Sequence, residues 1–130
     1  MAKDYERIQE ILKDYKEQLD ETDNTEYPVV KRALRCICQN LFRKKLTVGW
    51  LKERCRINGS SFATKFYYSV ERYPKEYILD HRLEVAKRLL KETNATITLI
   101  AISVGFNSLS AFCKTFKRRE GLKPSEWRCD

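Results

Sequence analysis

The chain has 130 residues, enough for one domain with a modest hydrophobic core. Hydrophobic residues make up 42% of it, which excludes wholesale disorder, and with 4 Gly and 3 Pro it has too few turn-forming residues for a many-stranded β-sandwich or β-barrel. The net charge of +8 is uneven, because residues 1–26 hold four basic and nine acidic residues, a net of −5, whereas the other 22 basic and 9 acidic residues give +13.

A basic body of this kind favours a polyanionic partner such as nucleic acid, although positive charge also serves solubility alone. The five cysteines form no paired C-x-x-C set and His81 is the single histidine, so no metal site or cofactor is expected. An odd number of cysteines without a signal peptide is typical of a reducing cytoplasm, where most would be small buried apolar residues. No apolar run approaches the ~20 residues that span a membrane.

The first predicted helix covers residues 3–21. Its apolar side chains recur at spacings of three and four residues, which places them on one face. They are Tyr5, Ile8, Leu12, Tyr15 and Leu19. Such a stripe is typical of a short helix that forms a homodimer, and also of an amphipathic helix packed on its own domain. The polar residues 22–26 that follow predict a loop.

The second predicted helix begins at Pro28, whose missing N–H would lack a partner in a first helical turn anyway. Its apolar residues keep the helical period, and the helix is predicted to end near Lys44. They are Val30, Ala33, Leu34, Ile37, Cys38 and Leu41. The basic residues Arg43, Lys44 and Lys45 at this end are as consistent with phosphate contacts as with a solvated helix terminus.

A short helix is predicted over about 48–55, because the Thr47 hydroxyl can accept a backbone N–H as its N-cap. A turn follows at 56–59. Ser60 or Asn58 is predicted to cap the next helix, by the same side-chain chemistry. That helix is predicted to turn Phe62, Phe66 and Val70 inward.

Pro74 predicts the start of a long helix that runs to about Glu92. Its apolar stripe comprises Ile78, Leu79, Leu83, Ala86, Leu89 and Leu90. His81 is expected on the surface of this helix, and Trp50 and Trp127 are expected to pack in or around the core. Because no strand pattern competes anywhere, the predicted fold class is all-α, with seven or eight helices.

The segment 96–121 predicts a helix-turn-helix. Its capping and breaking residues are Thr96 before the first helix, Gly105 between the helices, Asn107 or Ser108 before the second, and Gly121 after it. Ala101 lies where the two helices would cross, and Val104 and Phe106 would fill the angle between them. The N-terminal half of such a second helix reads base edges, here with Leu109, Ser110, Ala111 and Lys114 outward. A helical hairpin with a solvated basic face is the alternative.

An ordered series of residues from about Val29 to Arg128 carries the most specific signal in the chain. The series comprises Leu46-Thr47, Phe66, Pro74, Tyr77-Ile78, Arg82-Leu83, Ala86 and Leu89-Leu90, followed by Ile97, Ile100-Ala101, Val104-Gly105-Phe106, Ser108, Phe112, Phe116, Gly121, Pro124-Ser125 and Trp127-Arg128. Over about four-fifths of the chain, it resembles the DNA-binding module of the AraC/XylS family of bacterial transcription regulators.

The resemblance implies a DNA-binding domain at 27–130, with helix-turn-helix units at about 46–72 and 96–121 joined by a linker helix at about 74–92. Residues 1–26 would add an acidic amphipathic helix and loop. Each unit would place a recognition helix in the major groove of double-stranded DNA, in grooves ~34 Å apart. The residues expected to contact DNA are Ser60, Ser61, Ala63, Thr64, Tyr67 and Tyr68 in the first unit, and Ser108, Leu109, Ser110, Lys114, Lys117 and Arg118 in the second. The last two, with Arg119, would hold phosphates.

The first unit departs from the family pattern. Lys52 stands where a small residue is usual at the helix crossing, and Arg56 and Glu71 stand where glycine is usual. A non-glycine residue with positive φ costs on the order of 1 kcal/mol, unless the turn takes another shape. Serine and threonine make weaker base contacts than an arginine–guanine fork, so the second unit is expected to supply more of the specificity.

By analogy with the family, the chain is expected to be a transcription activator, and RNA polymerase is a further candidate partner. Whether the chain stands alone or is the C-terminal piece of a longer regulator stays open. A protein-interaction or dimerisation module on a degenerate helix-turn-helix scaffold is the alternative function, favoured by Lys52, Arg56 and the neutral first recognition helix. An enzyme is not expected, because no nucleophile lies near a histidine and no phosphate-binding glycine loop or catalytic residue is recognisable. The acidic head could also fold over the basic body and compete with DNA.

Overall fold

The computed structural model describes residues 2–19 and 25–129, and that part of the chain contains eight α-helices and no β-strand. The helices are α1 (Ala2–Gln18), α2 (Pro28–Asn40), α3 (Val48–Arg54), α4 (Phe62–Val70), α5 (Pro74–Glu92), α6 (Ile97–Ser103), α7 (Leu109–Glu120) and α8 (Pro124–Cys129). The predicted all-α fold class is therefore confirmed. Residues 20–24, which include the predicted end of the first helix and most of the following loop, lie outside the described residues.

Two hydrophobic clusters form the interior, and α5 contributes to both. The first cluster joins α2, α3 and α4 to the beginning of α5 through Tyr77 and Ile78. The second joins α1, α6 and α7 to the rest of α5, from Leu83 to Leu90, and Trp127 of α8 packs against it. The long helix is therefore the shared wall of two helical units, as the linker-helix prediction requires.

The apolar stripe of α1 is buried against its own chain. Ile8, Ile11 and Leu12 belong to the second core, whereas Tyr5 stays 56% exposed. The helix is thus an amphipathic helix packed on its own domain. The homodimer predicted through Tyr5, Ile8, Leu12, Tyr15 and Leu19 gains no support from this packing, because Ile8 and Leu12 are buried in the chain's own core, and it stays a prediction.

Polar contacts fasten α1 to α5. Arg7 pairs with Glu92 and Asp14 pairs with Arg88, both at 2.9 Å, and the Tyr15 hydroxyl hydrogen-bonds His81 Nδ1 at 2.7 Å. His81 is thus half-buried rather than on the surface, and burial lowers its pKa. The described polar contacts of α1 go to α2 and α5 rather than to α4 or α7, so they give no support to competition with DNA.

α2 ends at Asn40 rather than near Lys44, because a side chain from α5 holds the loop that follows. The Arg82 guanidinium donates to three backbone carbonyls, from Nε to Leu41 (2.8 Å) and from Nη2 to Arg43 (2.9 Å) and Leu46 (3.3 Å). The side chain is only 7% exposed, and burial lowers its pKa, yet arginine stays charged at neutral pH. Carbonyls past a helix end lack intrahelical partners, and Arg82 supplies those partners.

The five cysteines are all free thiols, and the prediction that most of them are buried is wrong. Cys36 is buried and Cys129 is exposed, while the other three are half-buried at the edges of the helices. Trp50 and Trp127 pack against the two cores, as predicted. None of the described helices has the length and apolar character needed to cross a membrane.

We expect Arg82→Met to lower the free energy of unfolding by about 2–4 kcal/mol, because three carbonyls would lose their charged donor. Arg72→Met is the matched control. Arg72 is 48% exposed and pairs with Asp80 at 3.4 Å, so its loss should cost under about 1 kcal/mol. Urea unfolding followed by circular dichroism measures both variants. Equal losses would contradict the role given to Arg82.

Candidate nucleic-acid interface

Side-chain caps begin three of the four helices that form the two units. Oγ1 of Thr47 accepts the Trp50 N–H, and Oγ1 of Thr96 accepts the Leu99 N–H, both at 3.1 Å. Oγ of Ser108 accepts the Ala111 N–H at 3.1 Å. These caps confirm the predictions, whereas the predicted cap of α4 by Ser60 or Asn58 is wrong. Ser61 occupies that position and makes no side-chain cap bond.

The turn of the second unit is closed by two backbone hydrogen bonds around Gly105. The Gly105 N–H donates to Ile102 O at 3.1 Å, and the Phe106 N–H donates to Ala101 O at 3.0 Å. This pair of bonds defines a Schellman motif, which requires positive φ at its glycine position, and Gly105 has φ of +107°. Ala101, Val104 and Phe106 are buried, so the predicted helix crossing is present.

Gly105 is needed for a second reason. A Cβ at this position would lie 2.8 Å from Arg82 Nε, closer than real Cβ contacts allow. Arg82 therefore touches the turn of the second unit while it binds the carbonyls of loop 41–46 in the first. The sequence could have predicted that Arg82 is buried. It lies four residues after Ile78 and four before Ala86, and so on the buried face of α5.

The first unit makes the same turn with arginine in place of glycine. The Arg56 N–H donates to Glu53 O at 3.3 Å, and the Ile57 N–H donates to Lys52 O at 2.8 Å. Arg56 has φ of +53°, so the turn has the same shape as the turn at Gly105. A side chain at positive φ costs about 1 kcal/mol of backbone strain relative to glycine. Lys52 is half-buried at the crossing.

The recognition helices end alike. Glu71 and Gly121 have φ of +60° and +82°, and their N–H groups donate to Tyr67 O at 2.7 Å and Lys117 O at 2.9 Å. The units also repeat in sequence, since Thr47 and Thr96 are 49 positions apart and Phe62 and Phe112 are 50 apart. A shift of 49 or 50 positions therefore aligns these residues of the first unit with their equivalents in the second.

The residues predicted to contact DNA in the second unit lie on the exposed side of α7. Phe112 and Phe116 are fully buried, whereas Leu109 is 40% exposed. Ser110, Lys114, Lys117 and Arg118 are exposed as well. Ser108 is exposed, but its hydroxyl serves as the helix cap. Arg119 differs from its neighbours, because its guanidinium pairs with Asp80 of α5 and is not free to hold a phosphate.

The first recognition helix, α4, exposes a largely neutral surface. Ser60, Ser61, Thr64, Tyr67 and Tyr68 are exposed, whereas Ala63 is half-buried. Tyr68 is 73% exposed, and the ring of Tyr67 stacks at a tilt on Tyr73, with centroids 4.9 Å apart. The one cation of α4 is Lys65, which lies half-buried over the Tyr27 ring at 5.7 Å.

Of the two recognition helices, α7 is the one that carries exposed cations. Lys114, Lys117 and Arg118 of α7 and Lys123 before α8 rim a hollow of about 480 Å³ with an apolar floor. Its floor includes Ile97, Cys113 and Pro124. No group of three or more His, Cys, Asp or Glu residues in the described chain is placed to hold a metal ion. The arrangement suits phosphate contacts rather than acid–base chemistry.

Ion pairs hold α7 on the linker helix. Asp80 pairs with both Arg72, which precedes α5, and Arg119 of α7. Lys87 binds Glu120 at 3.1 Å, and hydrogen bonding to Glu84 and Glu120 raises the pKa of Lys87 against the lowering effect of desolvation. Sequence reasoning missed Asp80, since a carboxylate on an amphipathic helix carries no signal of its partners.

Comparison with known proteins agrees with this geometry. The family model of a helix-turn-helix domain matches residues 51–129. The chain is 40% identical over 101 residues to an AraC-like transcription regulator of Streptomyces lividans, covering 78% of this chain and 33% of that protein. The chain belongs to the AraC family of transcription regulators.

Two solved structures share this AraC-family fold. The C-terminal domain of AraT, a response regulator from Geobacillus stearothermophilus, has a TM-score of 0.73 at 24% identity, with 78% of this chain and 84% of that chain covered. The DNA-binding domain of AdpA, a global transcriptional factor solved in complex with a target DNA, has a TM-score of 0.70 at 21% identity, with 79% and 92% covered.

The family match identifies residues 51–129 as a helix-turn-helix domain of the kind found in AraC-type transcription regulators. The chain spans about a third to two fifths of the length of the curated AraC-family relatives it matches. The match thus assigns this chain the part of those regulators that carries the helix-turn-helix units.

Gly105→Ala should destabilise the protein more than Gly121→Ala. Both residues have positive φ, which costs alanine about 1–2 kcal/mol. A Cβ at Gly121 meets no atom within 4 Å, whereas at Gly105 it meets Arg82. We expect an additional loss of about 1–3 kcal/mol for Gly105→Ala, as for overpacking of a core. Thermal unfolding of both variants measures the difference, and equal losses would refute the contact with Arg82.

Proposed function

We propose that the chain binds double-stranded DNA sequence-specifically and reads the major groove with α4 and α7. The observation that carries this proposal is that each helix buries two phenylalanines on one side and exposes its N-terminal half on the other. Both helices are held against one continuous helix, α5. Two recognition helices on a common support suit successive major grooves, ~34 Å apart along one face of DNA.

In the second unit, we assign base contacts to Leu109, Ser110 and Lys114 at the start of α7. Lysine donates to guanine acceptors in the major groove, and the leucine side chain suits a thymine methyl group. Lys117 and Arg118 lie further along the same exposed side and would hold phosphates. Ser108 contributes to the interface as the cap that starts the helix.

In the first unit, we assign DNA contacts to the exposed side of α4. They comprise Ser60, Ser61, Ala63, Thr64, Tyr67 and Tyr68. Hydroxyl groups accept and donate with several bases, so these contacts discriminate less than those of a cation. The neutral surface of α4 and the cations around α7 together support unequal shares of specificity.

We further propose that the protein is an activator that contacts RNA polymerase, following the family resemblance. Its site of action would be promoter DNA in the cytoplasm. The alternative of a protein-interaction module rests on Lys52, Arg56 and the neutral surface of α4. Arg56 takes the same turn as Gly105, so the first unit keeps the geometry that DNA reading needs.

Selection of random duplex DNA by the purified chain at near-physiological salt tests the proposal. We expect an enriched motif of two boxes about one helical turn apart. A single short box would show that one unit reads bases and the other does not. Binding of bulk DNA without enrichment would overturn sequence-specific recognition and favour the protein-interaction module.

Lys114→Ala should weaken operator binding more than Thr64→Ala. Loss of a base contact by a cation costs about 1–3 kcal/mol, which is about fivefold to 150-fold in affinity. The expected loss for Thr64→Ala is under about threefold, since the hydroxyl makes a tolerant contact. Lys13→Ala, an exposed lysine of α1, controls for net charge. Footprinting on the selected operator measures all three, and a greater loss for Thr64→Ala would contradict the assignment.

A further inference from the structure

A hollow of about 520 Å³ lies between α2 and the C-terminal end of α3, away from the residues assigned to base contacts. Four arginines line it, and no carboxylate does. They are Arg32 and Arg35 of α2, and Arg54 and Arg56 at the end of α3. Gln39 and the thiols of Cys36 and Cys55 complete its wall. We call it the arginine hollow.

Unlike most of the other arginines, these four form no side-chain hydrogen bond and no ion pair within the described residues. Of the twelve arginines, all within the described residues, seven form a side-chain hydrogen bond or an ion pair. Four of the other five line the arginine hollow, and the fifth is Arg118 of the proposed DNA interface. The arginine hollow therefore offers four exposed guanidinium groups whose hydrogen-bond donors have no partner side chain in the described residues.

One of the four is also kept in a strained backbone conformation. Arg56 has φ of +53°, at the turn position where the second unit has glycine. Strain of this kind persists at functional sites, and an observed outlier motivates a hypothesis of function. A cation at a helix end can stabilise α3 through its dipole, but this accounts for Arg54 alone and not for Arg32 and Arg35 in α2.

We propose that the arginine hollow binds phosphate groups. The planar guanidinium fork matches phosphate oxygens and donates two parallel hydrogen bonds, so arginine rather than lysine suits such a site. The guanidinium of Arg54 also lies 5.8 Å from the centre of the Trp50 ring, in cation–π range. The phosphates come either from the DNA backbone beside the first unit or from a free phosphorylated small molecule. The first source deepens the proposed function, and the second is independent of it.

If the DNA backbone is the source, the hollow supplies the first unit with cations that α4 lacks. α4 has a single, half-buried lysine, whereas α7 carries Lys114, Lys117 and Arg118. If a free ligand is the source, its binding would neutralise four charges on the first unit. Both sources rest on the same side chains, and the measurement must separate them.

The test compares Arg35→Gln/Arg54→Gln with the control Lys13→Gln/Lys31→Gln, which removes two exposed charges outside the hollow. Tripolyphosphate is titrated calorimetrically into the full chain at low salt. We expect the arginine variant to bind at least about tenfold more weakly than wild type, and the control to change less than about twofold. Arg56→Gly, which relieves strain and so keeps the fold, should also weaken binding.

The same variants are then titrated with duplex DNA at several salt concentrations. A salt slope lowered by about two in the arginine variant, and not in the control, assigns the phosphates to the DNA backbone. An unchanged slope with weakened tripolyphosphate binding assigns them to a free ligand. If the arginine variants match the control in both titrations, the proposal is overturned. Because tripolyphosphate binding is measured without DNA, failure of sequence-specific recognition would not affect that result.

Discussion

The hydrogen bonds of one buried arginine fix the relation between the two units. Removing a guanidinium from water is costly, and Arg82 offsets that cost with three backbone carbonyls of loop 41–46. The same group lies against Gly105, so the turn of the second unit has no room for a side chain. Arg82 thus contacts both the loop after α2 in the first unit and the turn after α6 in the second.

The two units have the same backbone geometry at their turns and helix ends, but their exposed side chains differ in charge. Arg56 and Gly105 close the same turn, and Glu71 and Gly121 end the recognition helices in the same left-handed conformation. The first unit therefore retains its shape at a cost in strain of about 1 kcal/mol for each non-glycine residue. Its arginines line a hollow formed by α2, α3 and the turn after α3, rather than the surface of α4. The two units thus have the same backbone turns but differ in where their charged side chains lie.

α1, the helix of the acidic N-terminal segment, is part of the domain core. Ile8, Ile11 and Leu12 complete the second cluster, and the carboxylate of Asp14 pairs with Arg88 of α5. Through these contacts, α1 braces the half of α5 that supports α6 and α7. The Tyr15–His81 hydrogen bond does the same at the middle of the helix, where burial lowers the pKa of His81.

The sequence by itself determined the helices, because their apolar period and their caps are local properties. The sequence predicts the helix caps Thr47, Thr96 and Ser108, the bounds of α5 and the exposed side of α7. The ordered family motifs also predict that the chain contains two paired units. Only the tertiary structure decided the end of α2, the burial of α1 and the engagement of Arg119. Each of these depends on a partner distant in the chain: the end of α2 on Arg82, the burial of α1 on the second core, and the contact of Arg119 on Asp80. Local periodicity shows that a side chain faces inward or outward, but only packing determines which group it meets.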